Sequence, residues 1–406
     1  MMTREIIKGT DAVAKAVVGA DPDVVSAYPI TPQTGIVEGI ADLAADGHYN
    51  GEFLRIDSEF NAASSVIGAS AAGARTFTAT SSNGLKLMSE PLFTAAGMRL
   101  PLVLAVANRS ISAPLSIWND HTDTMAERDS GLIQLYAEDV QEAVDNTLIA
   151  FRVAEELKLP VMSNLDGFVL THVQEPVDVP EPEPVEEFLP PYEPEQTLDP
   201  SEPKTMGAYA RPEHWTEAKY VPHEVLLRAG DAIERATAEF EEVFGRSYGD
   251  AGGLVDTYRL DDADVALLTL GSLAGTAKDA VDRAREDGIR VGVVRPRVFR
   301  PFPGEALREV LGGVEAVGVL EKAISPGSGG PLSMELKSEL YNLPDRPLVR
   351  DFVIGLAGRD ITVEDVVGIA DELYVDADVS PHEFAPDEEE VWPQLREEIL
   401  PEEVSH

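Results

Sequence analysis

Two prolines fix a short polar turn near the N-terminus. The segment Tyr28–Pro32 reads Tyr-Pro-Ile-Thr-Pro and follows a short apolar run. Proline restricts its own φ angle and the conformation of the residue before it, so the Thr31 hydroxyl should be held in one direction. If the apolar run is a strand of a parallel sheet, this turn lies at the edge where such sheets bind ligands. Alternatively, the Thr31 hydroxyl only caps the next helix.

A glutamate and an arginine occupy similar junctions between elements. Glu59 follows Asp57 and Ser58 at the start of a segment rich in Ala, Ser and Gly. Residues of these types often cap a helix and stabilise its dipole, whereas a catalytic role requires a buried Glu59 hydrogen-bonded to a heterocycle nitrogen. Arg109 follows another apolar run, where it could bind a carboxylate bidentately or pair with an acidic neighbour such as Asp120.

The loop beyond Arg109 contains Asp120, His121 and Asp123, whose side chains can all bind metal ions. One histidine among acids and hydroxyls is more typical of a polar hydrogen-bond network than of a metal site. We therefore predict that this chain supplies no metal ligands.

Apolar runs alternate with helical patterns along the first 164 residues, which indicates a parallel sheet covered on both faces by helices. The predicted strands are Val24–Tyr28, Phe53–Ile56, Thr76–Thr80, Leu102–Ala107 and Pro160–Asn164. The predicted helices are Gly35–Leu43, Ser58–Gly73, Gly84–Ala96 and Asp139–Leu157.

A proline-rich segment separates this region from the next. Residues 173–203 contain nine of the 29 prolines, so we expect an extended, unpaired segment. It is either a disordered linker or an arm on the surface, and the apolar residues of Phe188–Tyr192 favour the arm. A charged helix is predicted at Val225–Phe244.

A smaller doubly wound domain of four or five strands is predicted from Val265 onward. Its strands are Val265–Thr269, Ile289–Val294, Val317–Leu320 and Leu348–Val353, and its helices are Ala274–Arg285, Gly304–Leu311, Leu332–Leu340 and Val363–Leu373. The loop Ser325–Gly330 is expected to be a tight turn, with contact to an anion or coenzyme A as the alternative.

Composition limits the classes of partner. The 406 residues carry a formal net charge of −41, so nucleic acid and anionic membranes are not expected partners. No run approaches the roughly 18 apolar residues of a membrane span, and we expect a cytoplasmic protein. Because the sequence has no cysteine, it cannot ligate an iron–sulfur cluster through cysteine.

The sequence resembles the α subunits of the archaeal-type, four-subunit pyruvate:ferredoxin oxidoreductases, in the 2-oxoacid:ferredoxin oxidoreductase family. The resemblance extends from about residue 5 to residue 375. The matching segments are 28–32, 57–59, 78–85, 117–120, 127–135, 188–192, 203–207, 244–248, 269–278, 295–303 and 355–362.

The resemblance implies a thiamin-diphosphate enzyme and gives each candidate residue a role. Glu59 would be the catalytic carboxylate that stabilises the imino tautomer of the aminopyrimidine ring, with Ser82 and Asn83 also binding the cofactor. Arg109 would hold the carboxylate of the 2-oxoacid substrate, and Thr31 would donate a hydrogen bond to its oxygens.

The family pattern also implies partner subunits. Thiamin enzymes bind Mg²⁺-diphosphate through a Gly-Asp-Gly signature, which this sequence lacks. The cofactor would therefore be shared with a β subunit that holds the diphosphate site and a proximal iron–sulfur cluster. A γ subunit and a ferredoxin-like δ subunit are also implied, so Mg²⁺ and 4Fe–4S clusters would reside in partner subunits and not in this chain. Ferredoxin, coenzyme A and a 2-oxoacid would complete the reaction.

The implied fold is α/β, with a pyrimidine-type thiamin-diphosphate domain at 1–170 and a domain like the transketolase C-terminal domain at 256–375. A proline- and acid-rich arm with a helix (171–255) and an acidic tail (376–406) complete the chain. The expected reaction is oxidative decarboxylation of pyruvate to acetyl-CoA with ferredoxin reduction. Another 2-oxoacid (2-oxoglutarate, a branched-chain oxoacid or oxalate) or a non-catalytic scaffold role remains an alternative.

Overall fold

Residues 2–249, 251–377 and 390–401 are described by a computed structural model. The chain divides into two units. Unit 1 consists of residues 1–256, 270–273 and 295–307, and unit 2 consists of residues 257–269, 274–294 and 308–406. Unit 1 is thus assembled from three separate stretches of sequence.

The strands, in chain order, are β1 (Met2–Lys8), β2 (Val24–Ala27), β3 (Glu52–Arg55), β4 (Thr76–Thr80), β5 (Leu102–Asn108), β6 (Ile133–Tyr136), β7 (Pro160–Asp166), β8 (Gln174–Pro180), β9 (Val255–Tyr258), β10 (Val265–Leu268), β11 (Val291–Pro296), β12 (Val298–Arg300), β13 (Ala316–Glu321), β14 (Leu348–Val353) and β15 (Glu390–Val391).

The helices are α1 (Gly9–Gly19), α2 (Thr34–Ala45), α3 (Glu59–Ala71), α4 (Ser82–Met98), α5 (Thr122–Met125), α6 (Val140–Leu157), α7 (Pro182–Phe188), α8 (Pro212–Leu227), α9 (Ala229–Phe244), α10 (Leu273–Glu286), α11 (Gly304–Val310), α12 (Pro331–Leu340) and α13 (Val363–Asp376). Short 3-10 turns occupy Ala251–Gly253, Leu356–Gly358 and Glu397–Ile399.

Unit 1 contains a seven-stranded sheet in the order β12-β6-β7-β5-β4-β2-β3. Its strands pair in parallel, except that β12 is antiparallel to β6. Along β5, Val103 and Ala105 pack with α1 and α6, whereas Leu104 and Val106 pack with α3 and α4. Helices therefore cover both faces, as the alternating pattern predicted.

The proline-rich segment is paired, so the prediction of an unpaired segment is wrong. Residues Gln174–Pro180 form β8, antiparallel to β1 over seven residue pairs, and α7 follows directly. Prolines are tolerated in β8 because every second N–H of an edge strand points away from the neighbouring strand and makes no hydrogen bond with it. Phe188 is buried with its ring 5.5 Å from that of Phe240, so this segment is an arm packed on the core.

The predicted helix Val225–Phe244 is two helices, α8 and α9, that meet at Arg228. Helix α9 buries Ile233, Ala236 and Phe240 on one face, and this face packs against α6. Helix α8 has no buried residue. The prediction failed because the two helices have different environments, which a continuous charged pattern does not reveal.

The second sheet has six strands in the order β15-β14-β13-β10-β11-β9, instead of the four or five predicted. Strands β10, β11, β13 and β14 are parallel and match the predicted runs. The additional strands are β9 and β15, and β15 lies within the predicted acidic tail. Residues 378–389 and 402–406 of that tail lie outside the described residues.

Among the described residues, no helix combines the length and the apolar character that crossing a bilayer requires.

Candidate active site

Three segments that contain candidate residues lie at one edge of the parallel sheet in unit 1. Segment Tyr28–Pro32 follows β2, Ser82 follows β4, and Arg109 follows β5. These strands are adjacent and parallel, in the order β5-β4-β2. Their carboxyl ends therefore meet at the edge where open α/β sheets bind ligands.

Glu59 is the first residue of α3, and its side chain is buried with 8% exposure. The preceding Ser58 caps the helix, since its hydroxyl accepts the N–H of Asn61 at 3.2 Å. Within the described part of the chain, the Glu59 carboxylate has no hydrogen-bond or ion-pair partner. Since buried carboxylates are normally paired, this one is suited to receive a ligand.

A glycine makes room for the Glu59 carboxylate. A Cβ atom on Gly84 would lie 2.7 Å from Glu59 Oε1 and 2.5 Å from Thr80 Oγ1, closer than real Cβ contacts. The Thr80 hydroxyl is buried and has no partner in the described chain. The Thr80 hydroxyl at the end of β4 and the Glu59 carboxylate at the start of α3 thus both lie beside Gly84, in the first turn of α4.

Arg109 is buried and is held by backbone carbonyl groups. Its Nε donates to the Ser116 carbonyl oxygen at 2.8 Å, and its Nη1 donates to the Thr31 carbonyl oxygen at 2.9 Å. Nη2 has no partner among the residues that the structure describes. Burial lowers the pKa of Arg109, and the nearby charge of Asp123 opposes this shift.

The structural alternatives for Arg109 and Thr31 are not what the structure shows. Asp120 accepts the N–H of Thr122 at 3.0 Å and also its hydroxyl, and it makes no ion pair with Arg109. Helix α2 has Gln33 at its N-cap, so the Thr31 hydroxyl does not cap it. Thr31 is exposed beside the guanidinium that binds its carbonyl, so the two predicted substrate-binding residues lie together.

Ser82 and Asn83 begin α4 and differ in exposure. Ser82 is buried, and its hydroxyl donates to the Ser110 carbonyl oxygen at 2.5 Å. Asn83 is exposed, and its Oδ1 accepts the N–H of Ser112 at 3.1 Å. The Ser82 side chain is therefore directed into the protein, whereas the Asn83 amide lies at the surface of the site.

The acidic loop forms a buried polar network, as predicted. His121 Nε2 lies 2.6 Å from Asp166 Oδ1, and Asp166 also accepts the backbone N–H of Ser272 at 3.1 Å. Across residues 2–249, 251–377 and 390–401, no group of three or more His, Cys, Asp or Glu side chains is placed to hold a metal ion.

Sequence reasoning missed the central role of Asp123 in this region. Asp123 is fully buried, and burial raises its pKa to about 7 although several hydrogen bonds oppose the shift. It accepts the backbone N–H groups of Ser82 and Arg109. These N–H partners are 41 and 14 residues from Asp123 in sequence, so no local pattern indicates them. The only available signal was the concentration of acidic, amide and hydroxyl side chains near the end of a strand.

In unit 2, the loop Ser325–Gly330 is a tight turn, as predicted. The Ser325 N–H donates to the Gly329 carbonyl oxygen at 2.9 Å. The Gly330 N–H donates to Asp351 at 2.7 Å, and the Leu332 N–H donates to Glu321 at 2.8 Å. The carboxylates of this chain already occupy the N–H groups that an anionic ligand would need.

Comparison with known proteins identifies the family. Residues 15–237 match the family described as pyruvate flavodoxin/ferredoxin oxidoreductase, thiamine diphosphate-binding, and residues 263–366 match pyruvate:ferredoxin oxidoreductase core domain II. The chain belongs to the pyruvate:ferredoxin oxidoreductase family. The predicted α/β class is confirmed, with a thiamin-diphosphate-binding domain at its N-terminal end, and the chain is an oxidoreductase subunit.

Named relatives of this family member are similar over nearly their full length. Pyruvate synthase subunit PorA of Pyrococcus horikoshii is 45% identical over 98% of this chain and 100% of its own. Ketoisovalerate oxidoreductase subunit VorA of the same organism is 43% identical over 91% of this chain and 93% of its own. A structure of 2-oxoglutarate:ferredoxin oxidoreductase from Magnetococcus marinus superposes with a TM-score of 0.69 at 22% identity, over 91% of this chain and 65% of that chain. That similarity shows a shared fold.

Proposed function

We propose that this chain is the α subunit of an enzyme that oxidises pyruvate with coenzyme A to acetyl-CoA and CO₂. The two electrons released would reduce ferredoxin. The observation that carries the proposal is the buried Glu59 carboxylate, which lacks a partner in the described chain and lies in a gap left by Gly84. A scaffold subunit would have no use for such a group.

The residues around Glu59 fit the pyrimidine ring of thiamin diphosphate. That cofactor, when bound, supplies the nucleophilic carbon that attacks the 2-oxo group of the substrate. Glu59 would share a proton with a ring nitrogen, because a carboxyl group without other partners donates there when protonated and accepts there when ionised. Asn83 would contact the cofactor from the surface of the site, and Ser82 would hold the start of α4 in place.

Arg109 and Thr31 fit a substrate with one carboxylate. The Nη2 group of Arg109 is available for a charge-assisted hydrogen bond, and the exposed Thr31 lies next to it. Both residues are oriented by protein contacts before substrate arrives, which reduces the entropy lost on binding. A dianionic oxoacid would favour a second cation, which these two residues do not provide.

The rest of the site would come from other subunits. The 406 residues contain no Gly-Asp-Gly sequence and no cysteine. We propose a β subunit that holds Mg²⁺-diphosphate and a 4Fe–4S cluster, and γ and δ subunits that complete electron transfer to ferredoxin. We also propose domain limits at 1–170, 171–255 and 256–375, followed by the tail 376–406.

A branched-chain 2-oxoacid is the second candidate substrate. The ketoisovalerate oxidoreductase subunit VorA is nearly as similar in identity as the pyruvate synthase subunit. In this alternative the roles of Glu59, Arg109 and Thr31 are unchanged, and only the side chain of the oxoacid differs.

The test is oxoacid-dependent reduction of ferredoxin or a viologen dye by the purified complex. We expect kcat/KM for pyruvate to exceed the values for 2-oxoglutarate and 2-ketoisovalerate. Preference for 2-ketoisovalerate would select the second candidate, and absence of oxoacid-dependent reduction would reject both.

A Glu59→Gln variant tests the residue that carries the proposal. Glutamine keeps the shape of the side chain but does not act as a proton-accepting carboxylate, so turnover should be lost while the complex still assembles. A kcat above about a tenth of the wild-type value, less than about 1.4 kcal/mol of barrier change, would count against this role. Size-exclusion chromatography of the same preparation checks assembly.

A further inference from the structure

One buried carboxylate oxygen connects the two halves of the candidate site. Asp123 Oδ2 accepts the N–H of Ser82 and the N–H of Arg109, both at 3.0 Å. Its Oδ1 accepts the Asn108 side-chain amide at 3.1 Å and the N–H of Thr124 at 2.8 Å. All four partners are donors, two to each oxygen, which matches the acceptor positions of an ionised carboxylate.

The two backbone N–H groups belong to different functional segments. Ser82 is the first residue of α4, two positions before the Gly84 that borders Glu59. Arg109 follows β5 and carries the guanidinium proposed to bind substrate. A movement of either segment would change the separation between cofactor and substrate carboxylate.

The conformation of Ser82 needs such an external restraint. Its φ angle is +49°, in the left-handed region that a residue with a Cβ atom rarely adopts. Strained conformations of this kind persist only where surrounding contacts determine them. Here the N–H is held by Asp123 and the hydroxyl is held by the Ser110 carbonyl oxygen.

We propose that Asp123 is a positioning residue that sets the placement of the Arg109 guanidinium relative to the start of α4. The inference rests on the proposed function and assigns a role to a residue that does not itself contact substrate or cofactor. Because the Asp123 carboxylate binds the N–H groups of Ser82 and Arg109, the distance between these two segments depends on this one side chain.

The Asp123→Asn substitution tests this role because an amide cannot accept at both ends. Its NH₂ group would face either the two backbone N–H groups or the donors Asn108 and Thr124. In the complete complex we expect the KM for the oxoacid to rise at least tenfold, with a further fall in kcat. The KM for coenzyme A should stay within twofold of wild type.

Asp145→Asn is the matched control. Asp145 is also a buried acid of unit 1, and it binds Arg246 and Tyr248 away from the candidate site. This variant should lower the melting temperature while leaving the KM for the oxoacid within twofold. An equal KM increase in both variants would overturn the proposal, because the effect would then be general destabilisation.

Hydrogen exchange gives a readout that does not depend on activity. In Asp123→Asn, peptides containing the N–H groups of Ser82 and Arg109 should lose protection together, and in Asp145→Asn both should remain protected. Retained protection with wild-type KM in Asp123→Asn would overturn the proposal. If that variant does not assemble, Asp123→Glu decides by the same two measurements, since it keeps the charge but displaces the oxygens.

The wild-type complex separates failure of this inference from failure of the proposed function. If wild type shows no oxoacid-dependent reduction, the proposed function fails, whereas the exchange measurement still tests whether Asp123 couples the two segments. If wild type is active and the Asp123 variants behave like wild type, only the positioning role fails.

Discussion

Arg109 is oriented by two neutral carbonyl groups, so its positive charge is not cancelled by an ion pair. Replacing it with alanine would remove the charge-assisted hydrogen bond that we propose it makes to the substrate carboxylate. We expect Arg109→Ala to raise KM for the oxoacid about ten- to a hundredfold, equivalent to roughly 1.5–3 kcal/mol. Steady-state kinetics with varied oxoacid measures this effect. Arg109→Lys should recover only part of it, because an ammonium group lacks the planar set of donors with which the guanidinium can bind both carbonyl groups and the substrate together.

Arg99 provides a matched control for Arg109. Its guanidinium also donates to two backbone carbonyl groups, those of Lys158 at 3.1 Å and Leu157 at 2.5 Å. Arg99→Ala should lower the melting temperature without a selective change in KM for the oxoacid. If the two variants have the same kinetics, Arg109 has only a structural role.

At the scale of the element, the first turn of α4 must pass close to Glu59. Gly84→Ala places a methyl group 2.7 Å from Glu59 Oε1, so the carboxylate must move. We expect kcat to fall at least tenfold, as measured by oxoacid-dependent dye reduction. Gly97 lies in the same helix with open space around its Cβ position. Gly97→Ala should leave kcat unchanged and stabilise the helix by about 0.4–1 kcal/mol, and equal kcat in both variants would contradict the steric argument.

Some strands of the fold could be predicted from the sequence, and others could not. Strand β5 was predictable because it is an apolar run buried on both faces, and β4 was predictable because its five residues include three threonines and a phenylalanine, which favour strands. Strand β6 was missed because it has four residues and includes the buried Gln134. Strand β8 was missed because its prolines indicate an unpaired chain, and its partner β1 lies about 170 residues away.

The same contrast applies to the site. Glu59 and Arg109 could be proposed from the sequence because each occupies a junction where a parallel sheet places its ligands. Asp123 could not be proposed as a positioning residue, because that role depends on backbone N–H groups brought together by the fold. The local sequence pattern indicates which side chains could act in a site. The tertiary fold determines which of them come into contact.

At the scale of the whole molecule, a buried ion cluster joins distant parts of unit 1. Glu142 lies between Arg295, whose Nη1 is 2.9 Å from Oε2, and Arg297. Burial raises the pKa of Glu142, but the two arginine charges outweigh burial and lower the pKa from 4.5 to about 2. Because the folded-state pKa lies below the unfolded value, ionised Glu142 stabilises the fold above pH 4.5, and this stabilisation is lost as the pH falls towards 2.

Urea unfolding at several pH values measures this dependence. Wild type should lose stability between about pH 4.5 and pH 2, and Glu142→Gln should lose less over that range because it has no titrating group there. The variant should also be less stable than wild type at pH 7, because Arg297 loses a carboxylate partner and Arg295 keeps only Glu138 and Asp256 of its three. Identical slopes for the two proteins would contradict the assignment.

The divided site predicts the behaviour of the chain on its own. If Mg²⁺-diphosphate is held by a β subunit, as proposed from the missing Gly-Asp-Gly sequence, the isolated chain should bind thiamin diphosphate weakly or not at all. Calorimetric titration with Mg²⁺ present measures this, and the assembled complex serves as the positive control. Tight, Mg²⁺-dependent binding by the isolated chain would contradict the division.

The three-part composition of unit 1 has a consequence for synthesis on the ribosome. Strand β12 and the arginines that pair with Glu142 are made long after the rest of the unit, since Arg297 follows Glu142 by 155 residues. At about 5–20 residues per second, roughly 8–31 seconds pass between the synthesis of Glu142 and the synthesis of Arg297. Unit 1 is therefore complete only after residues 257–269 and 274–294 of unit 2 have been synthesised, whereas residues 308–406 of unit 2 follow it.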